Sequence, residues 1–370
     1  MTLQTTFGQR LLIGATNIAH TALDSCDVPA LADLADNQLL LAVDRVALTA
    51  NNVTYAAAGH AFGYWKFFPA PDGYGIVPTW GFATVVASRT PGIVEGEHFY
   101  GYWPLASHLL CTAADVSAAG FSDPSPHRQG LGPFYNRYLR TSADPGYDSS
   151  TEDLQCLFRP LFTTAFLIDR FLADACFFAG KQVIISSASA KTASALAFLL
   201  TTHHRDKIKI IGLTSPSNLP YVSSLGSYDA VLPYENIAAL TAAVPTVYVD
   251  FAGNADTRKA VHQLFGAQLK HSATIGVTHW TGLMRPPEPL PGPEPVLFFA
   301  PSVAEAQVKA LGPAGFAKAF GAAWAHFLPH AKTHVRVAEY HGVAAAQQQF
   351  GDFVAGKTAP DAGIILRLQG

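Results

Sequence analysis

The stretch that most constrains this chain runs from Lys181 to Leu200, KQVIISSASAKTASALAFLL. Val183 to Ser187 are apolar or small, which predicts a buried parallel strand. Ala188-Ser189-Ala190 is a tight run of small residues, and Lys191 then opens an Ala-rich helix. Strand, small-residue turn and helix make the first half of a βαβ unit, and Lys209 to Thr214 supplies the second strand at the expected distance. A helix opening presents unpaired N–H groups and a partial positive charge, a natural seat for a phosphate. The glycine pattern G-x-G-x-x-G is absent: Ser187 or Ala188, Ser189 and Thr192 stand in its place. Small hydroxylated residues still admit a phosphate. An ordinary buried βα unit with no ligand fits the same letters.

Composition narrows the classes. Of 370 residues, 14% are charged and 49% hydrophobic, enough apolar material for large cores in two domains. A formal net charge of −3, with no basic stripe, argues against nucleic acid or an anionic membrane surface as partner. Cys26, Cys111, Cys156 and Cys176 are widely spaced with no C-x-x-C, which predicts buried free thiols in a reducing cytoplasm. No apolar leader opens the chain. The most apolar long window, Leu157 to Phe178, carries Arg159, Asp169, Arg170 and Asp174, so an amphipathic helix is expected there and not a membrane span.

Before the central stretch the pattern is β. Leu39–Leu48 and Phe82–Ser88 read as strands, and Val94 to Trp103 as a turn feeding another, with Gly, Pro and aromatics between. Residues 118–150 lack periodicity, and the aromatics Phe134, Tyr135, Tyr138 and Tyr147 predict an ordered, packed loop. Thr151-Glu152-Asp153 starts a helix expected to break near Pro160 and resume from Leu161 to Phe178. Beyond the central unit, strands and helices alternate to Val277, a doubly wound parallel sheet. A proline-rich excursion follows from Met284 to Pro295, then a strand at Val296–Phe299 and a helix at Pro313–Phe327. The β-like tail around Thr333–Val337 and Gly363–Leu368 is expected to return to the first domain.

This order of parts resembles the medium-chain dehydrogenase/reductase superfamily, of the zinc-independent, quinone-oxidoreductase-like kind. Val46 to Asn52, Gly59 with Tyr64, Gly96 to Gly101, Ser187 to Ala193 and Val249 to Asn254 sit like that family's segments. The runs S-S-A-S-A-K-T-A, D-F-A-G-N, T-H-W and F-F-A-P are similar to a branch described as a domain of unknown function. The resemblance implies an α/β protein, a GroES-like β-barrel domain plus a doubly wound Rossmann domain. It divides the chain into a GroES-like catalytic domain at 1–150, a nucleotide-binding domain at 151–330 and a return segment at 331–370. The family's zinc positions hold Thr49 or Ala50 and Trp80 here, and no four-cysteine lobe exists, so no metal is expected. His203 and His204 are read as solvated.

The second strand ends in Thr214-Ser215-Pro216-Ser217-Asn218, without the acid that would bind a ribose 2′-OH and repel a 2′-phosphate. NADP (NADPH) is therefore the expected cofactor, although a helix cap and proline turn explain the same residues. Expected contacts are Thr163, Ser187, Ala188, Ser189, Ala190, Lys191, Thr192, Thr214, Ser215, Ser217, Asn218, Phe251, Ala252, Gly253, Asn254 and Thr278. Hydride transfer to an activated C=C or C=O also needs a proton donor. By resemblance Tyr64 is the first candidate and Asn52 the second, amid the aromatics Tyr55, Trp65, Tyr100, Tyr102, Trp103 and Tyr135. Two classes stand: an NADPH-dependent reductase of a small apolar carbonyl or enone, or a non-catalytic nucleotide-binding or structural protein on the same fold. A cytoplasmic chain with a small-molecule substrate is expected, and a homodimer is compatible with it.

Overall fold

The computed structural model describes residues 6–275 and 289–369. The chain divides into two compact units, one of residues 1–157 with 335–370 and the other of residues 158–334. The expected boundaries are 150 and 330: the first observed division falls inside the helix Glu152–Asp174, and the second at the end of the helix Ala300–His334.

The first unit is built on antiparallel strands, the GroES-like half of the expected fold. Its central strands, Gln38–Leu48 and Pro78–Ser88, pair along nearly their whole length. Leu39 to Val43 and Val46 to Leu48 are buried without interruption, so the strand Gln38–Leu48 is covered on both faces and its burial does not alternate. The 118–150 segment is ordered, and it is not only loop: Gly120–Ser122 pairs with Arg137–Arg140, which pairs in turn with His98–Pro104. The tail returns as expected, with Ala362–Arg367 antiparallel to Gln38–Leu48. Between the two tail strands, Gly342–Val354 forms a helix that the sequence reading did not include. It buries Val343, Ala346 and Phe350 at helical spacing.

The second unit is a parallel sheet. Its strands lie in the spatial order Ala230–Pro233, Lys209–Thr214, Gln182–Ile185, Thr246–Asp250, Leu269–Thr274, Val296–Leu297. In chain numbering that order is 3-2-1-4-5-6, the dinucleotide-binding arrangement. The chain direction reverses across the sheet between Gln182–Ile185 and Thr246–Asp250, and ligands of such sheets bind outside the carboxyl ends of the strands there.

Two helices depart from expectation. Glu152–Asp174 is continuous through Pro160. Proline removes one backbone hydrogen bond at a cost of about 3 kcal/mol. Burial of Leu157, Phe158, Phe162, Ala165, Phe166 and Leu172 along the same helix outweighs that loss. The helix also stops earlier than Phe178. Cys176, Phe177, Phe178 and Ala179 take positive φ of 47°, 53°, 52° and 61°, a left-handed turn made without glycine. The helix Ala300–His334 is longer than expected and kinks at Gly312. Phe320, Trp324 and Phe327 of that helix pack on Phe162. No helix among the described residues is long and apolar enough to cross a membrane. The four cysteines are free, but only Cys111 and Cys156 are buried; Cys176 is exposed on the left-handed turn.

Candidate functional site

In the parallel-sheet unit the small-residue turn leaves the first strand through Ser187, whose φ of 51° is left-handed. Tyr234 holds that conformation: its hydroxyl accepts from the Ser187 N–H at 3.0 Å. Ala188 is fully buried. Its N–H donates to the Leu213 carbonyl, and its own carbonyl accepts from the Tyr228 hydroxyl at 3.0 Å. The neighbouring strand must therefore carry glycine at 212. A Cβ there would lie 2.9 Å from Ala188 Cβ and 3.0 Å from the Tyr228 ring. Small residues in S-S-A-S-A thus serve close packing of turn on strand as much as access for a ligand.

The helix Lys191–His204 starts directly after this turn. Its cap residue, Ala190, has no side chain to satisfy the first-turn amides. Most helices place Ser, Thr, Asp or Asn there, and an apolar cap leaves the opening amides to water or to an anion. Ser189 faces the end of the second strand: its Oγ accepts from Asn218 Nδ2 at 3.1 Å. Ser215 and Ser217 pair at 3.2 Å between their hydroxyls. The structure thus brings Ser189, Ser215, Ser217 and Asn218 together beside the helix opening. Thr214 is not with them on the surface; it is 1% exposed.

At the sheet's switch point, Ser186 donates to Asp250 Oδ1 at 2.8 Å, and the Gly253 N–H donates to the same oxygen at 3.0 Å. Arg258 clamps Asp250 Oδ2 through Nε and Nη2 at 2.9 and 2.8 Å. The Ala252 N–H in turn donates to Ser186 Oγ at 3.0 Å. This network fixes Phe251, Ala252 and Gly253 against the first strand. Asn254 is spent on its own helix, accepting from the Thr257 N–H at 2.9 Å. Thr163 is likewise turned on its own helix, its hydroxyl donating to the Arg159 carbonyl at 2.7 Å. Thr278 lies outside the described residues. Sequence reasoning missed Tyr228, Tyr234, Ser186, Asp250 and Arg258. The D-F-A-G run carried Asp250 in plain sight, but its partners are far off in sequence.

The antiparallel unit gathers the aromatics. Tyr64 opens a short turn after Gly63, and Trp65 beside it is wedged where a Cβ on Gly59 or Gly75 would come within 2.2 Å of its ring. That explains why glycine stands at 59 and 75, around Trp65. Tyr64 stacks on Tyr55 with ring centres 4.4 Å apart. Tyr102 packs against Trp80 at 4.8 Å and against Tyr135 at 5.0 Å. Burial first, and then the neighbouring phenols, pushes Tyr55, Tyr64 and Tyr102 well above the ordinary tyrosine value. All three are neutral hydroxyls throughout the physiological range. Asn52 is differently placed from a free donor. It is 3% exposed. Its Oδ1 accepts from the Thr49 N–H at 2.7 Å and its Nδ2 donates to the Pro78 carbonyl at 2.8 Å. It closes the start of the helix Ala50–Ala57, which carries Tyr55. Phe134 and Tyr135, from the 118–150 segment, lie over Trp80 at 5.3 and 5.9 Å.

His203 is exposed, as expected, and His204 half-buried, but both are paired with one carboxylate. His203 Nδ1 is 3.1 Å from Asp169 Oδ2 and His204 Nε2 3.2 Å from Asp169 Oδ1. The carboxylate they face is 1% exposed.

Residues 46–359 match the family described as protein of unknown function (DUF2855). The chain belongs to the DUF2855 family. That is the branch its S-S-A-S-A-K-T-A and D-F-A-G-N runs resemble. No curated protein matches this DUF2855 chain. Among solved structures it is similar to CurA from Vibrio vulnificus in complex with NADPH, with a TM-score of 0.65 and 15% identity over 98% of this chain and 100% of that one. It is also similar to the yhdH oxidoreductase from Salmonella enterica in complex with NADP, at 0.55 and 15% over 98% and 100%. The human synaptic vesicle membrane protein VAT-1 homolog-like protein matches at 0.54 and 11% over 98% of each chain. At such identities the likeness establishes the fold of the DUF2855 chain, that of the medium-chain dehydrogenase/reductase superfamily.

Proposed function

We propose that this chain is an NADPH-dependent reductase of a small apolar carbonyl or enone that works without zinc. The carrying observation is the helix opening at Lys191. It sits at the end of the first strand of a 3-2-1-4-5-6 sheet and has no side-chain cap. Beside it the second strand ends in hydroxyls and an amide in place of an acid. The residues suit a dinucleotide. Backbone amides from Ser189 to Thr192 would hold the pyrophosphate, and Ser215, Ser217 and Asn218 would donate to a 2′-phosphate. CurA and the yhdH oxidoreductase, crystallised with NADPH and NADP, support the same choice.

When bound, the nicotinamide supplies a hydride; the chain itself must supply a proton. Tyr64 is the proposed donor. Its hydroxyl is kept protonated by burial and by Tyr135, which leaves a neutral O–H that could donate. Asn52 contributes by holding the helix that carries Tyr55. The aromatic cluster of Trp80, Tyr102 and Tyr135 makes the surroundings of Tyr64 apolar and carries little charge, which favours a small apolar substrate.

Phe134 and Tyr135 over Trp80 favour the second reading, a fold retained for nucleotide binding alone. One experiment separates the two. Fluorescence titration should show tighter binding of NADPH than of NADH. NADPH consumption with a panel of enones and quinones should then be lost in Tyr64→Phe while binding persists. Binding without turnover on any acceptor makes the second reading the better one, and absence of NADPH binding leaves a structural protein on the same fold.

A further inference from the structure

The helix Glu152–Asp174 buries one carboxylate that the nucleotide site does not use. Asp169 is 1% exposed, and it faces the last residues of the helix Lys191–His204. An ionised carboxylate is costly to bury unless it is fully paired. His203 Nδ1 meets Asp169 Oδ2 at 3.1 Å. The other side is unfinished. His204 Nε2 lies 3.2 Å from Asp169 Oδ1, yet neither that oxygen nor either ring nitrogen of His204 has an aligned hydrogen-bond partner. Two facing polar atoms, Asp169 Oδ1 and His204 Nε2, are buried and unsatisfied 3.2 Å apart, which a positive centre shared between them would resolve.

We propose that Asp169, His203 and His204 form a divalent transition-metal site of the Zn2+ type, clamping the helix Glu152–Asp174 to the end of the helix Lys191–His204. The ligand atoms, one from each residue, lie within 4.8 Å of one another. Two donors at about 2.0–2.1 Å from a tetrahedral ion sit roughly 3.3 Å apart, and each histidine nitrogen here lies 3.1–3.2 Å from one oxygen of the Asp169 carboxylate. Two imidazoles with one carboxylate select a borderline ion such as zinc; calcium and magnesium prefer oxygen ligands alone. Three protein ligands leave a fourth position open. His204 also lines a cleft of about 490 Å³ with Cys176, Phe177, Lys181 and Lys207. The left-handed turn at Cys176–Ala179 borders this cleft, and the Phe177 ring lies edge-on to His204 at 5.0 Å. This departs from the expectation of no metal. The ligands here belong to the parallel-sheet unit, whereas the empty zinc positions of the resemblance lie in the antiparallel one.

The test uses untagged full-length protein, stripped with a chelator and titrated with zinc chloride in a calorimeter at neutral pH. One equivalent should bind and raise the melting temperature. Cobalt substituted for zinc should give the visible bands of a four-coordinate nitrogen–oxygen site. His203→Gln and His204→Gln should each weaken zinc by more than the roughly 10- to 100-fold that loss of an outer-shell partner costs. His330→Gln, elsewhere in the same unit, should leave it unchanged. Circular dichroism confirms that each variant folds; His203 is the more exposed ligand and keeps the test open if Asp169→Asn does not fold. No zinc uptake by the unaltered protein, or uptake equal in His203→Gln and His204→Gln, overturns the proposal and leaves an ion-paired latch.

Discussion

Ser186 and Asp250 share a hydrogen bond of 2.8 Å at the carboxyl ends of two adjacent parallel strands, and neither is exposed at all. This bond ties the strand that feeds the small-residue turn to the strand that feeds the D-F-A-G loop. Ser186→Ala should cost about 1–2 kcal/mol, because Asp250 keeps its other donors. Asp250→Ala should cost about 3–5 kcal/mol, since it strands Arg258 and Ser186 together. Arg258 is 23% exposed and can turn partly to water, which places the value towards the lower end. Urea denaturation checks both; equal losses would mean that the serine, not the ion pair, holds the switch point.

Gly212 is a packing requirement. Gly212→Ala should destabilise by about 1–3 kcal/mol through overpacking against Ala188 and Tyr228. Adding Ala188→Gly should recover part of the loss, because it frees one of the two contacts. A double-mutant cycle with no coupling between the two sites would show that the turn simply moves aside.

Ser189 separates bulk from hydrogen bonding in the proposed phosphate seat. Ser189→Ala loses the Asn218 contact and should cost about 1 kcal/mol. Ser189→Leu should abolish NADPH binding and leave the far-ultraviolet circular dichroism intact. Unchanged NADPH affinity in Ser189→Leu would place the cofactor elsewhere.

Cofactor choice is best tested at Ser215. Ser215→Asp should weaken NADPH more than NADH, by restoring a charge that repels the 2′-phosphate. The same change at Thr214 is a poor probe, because Thr214 is 1% exposed and an aspartate there would bury an unpaired charge. Parallel fluorescence titrations with both cofactors read the difference; an equal loss for the two would point to a general disturbance of the turn.

His330 sets an acid limit for the parallel-sheet unit. Burial first, and then His334, lowers it to about 4 from the ordinary 6.5. It packs on Phe198 at 4.7 Å and on His334 at 4.3 Å. Between those two pH values the unfolded chain binds a proton that the folded chain refuses. Stability therefore falls as pH drops through 6.5 towards 4, and is unaffected by this group above that window. His330→Leu should remove on the order of 2 kcal/mol of that fall, allowing for partial exposure. Urea midpoints taken above and inside the window provide the check.

The amino-acid sequence determined the fold class and the location of the small-residue turn after the first parallel strand. Alternating strands and helices from Val183 onward, and the small residues at 186–190, are local signals, and local signals survive in a string. The β-rich first unit and the return of Gly363–Leu368 were legible for the same reason. The 342–354 helix was not, because its three buried positions are spread among alanines and glutamines. Pro160 misled because a local rule was outweighed by burial along the whole helix. What the tertiary structure alone decided is which polar groups meet. Ser186 finds Asp250 across 64 residues, Ser187 finds Tyr234 across 47, and Asp169 finds His203 across 34. Such pairings leave no periodic trace, since each needs only one residue of the right chemistry at the end of an element. The sheet order brings those ends together, and hydrogen bonding over about 3 Å then fixes them.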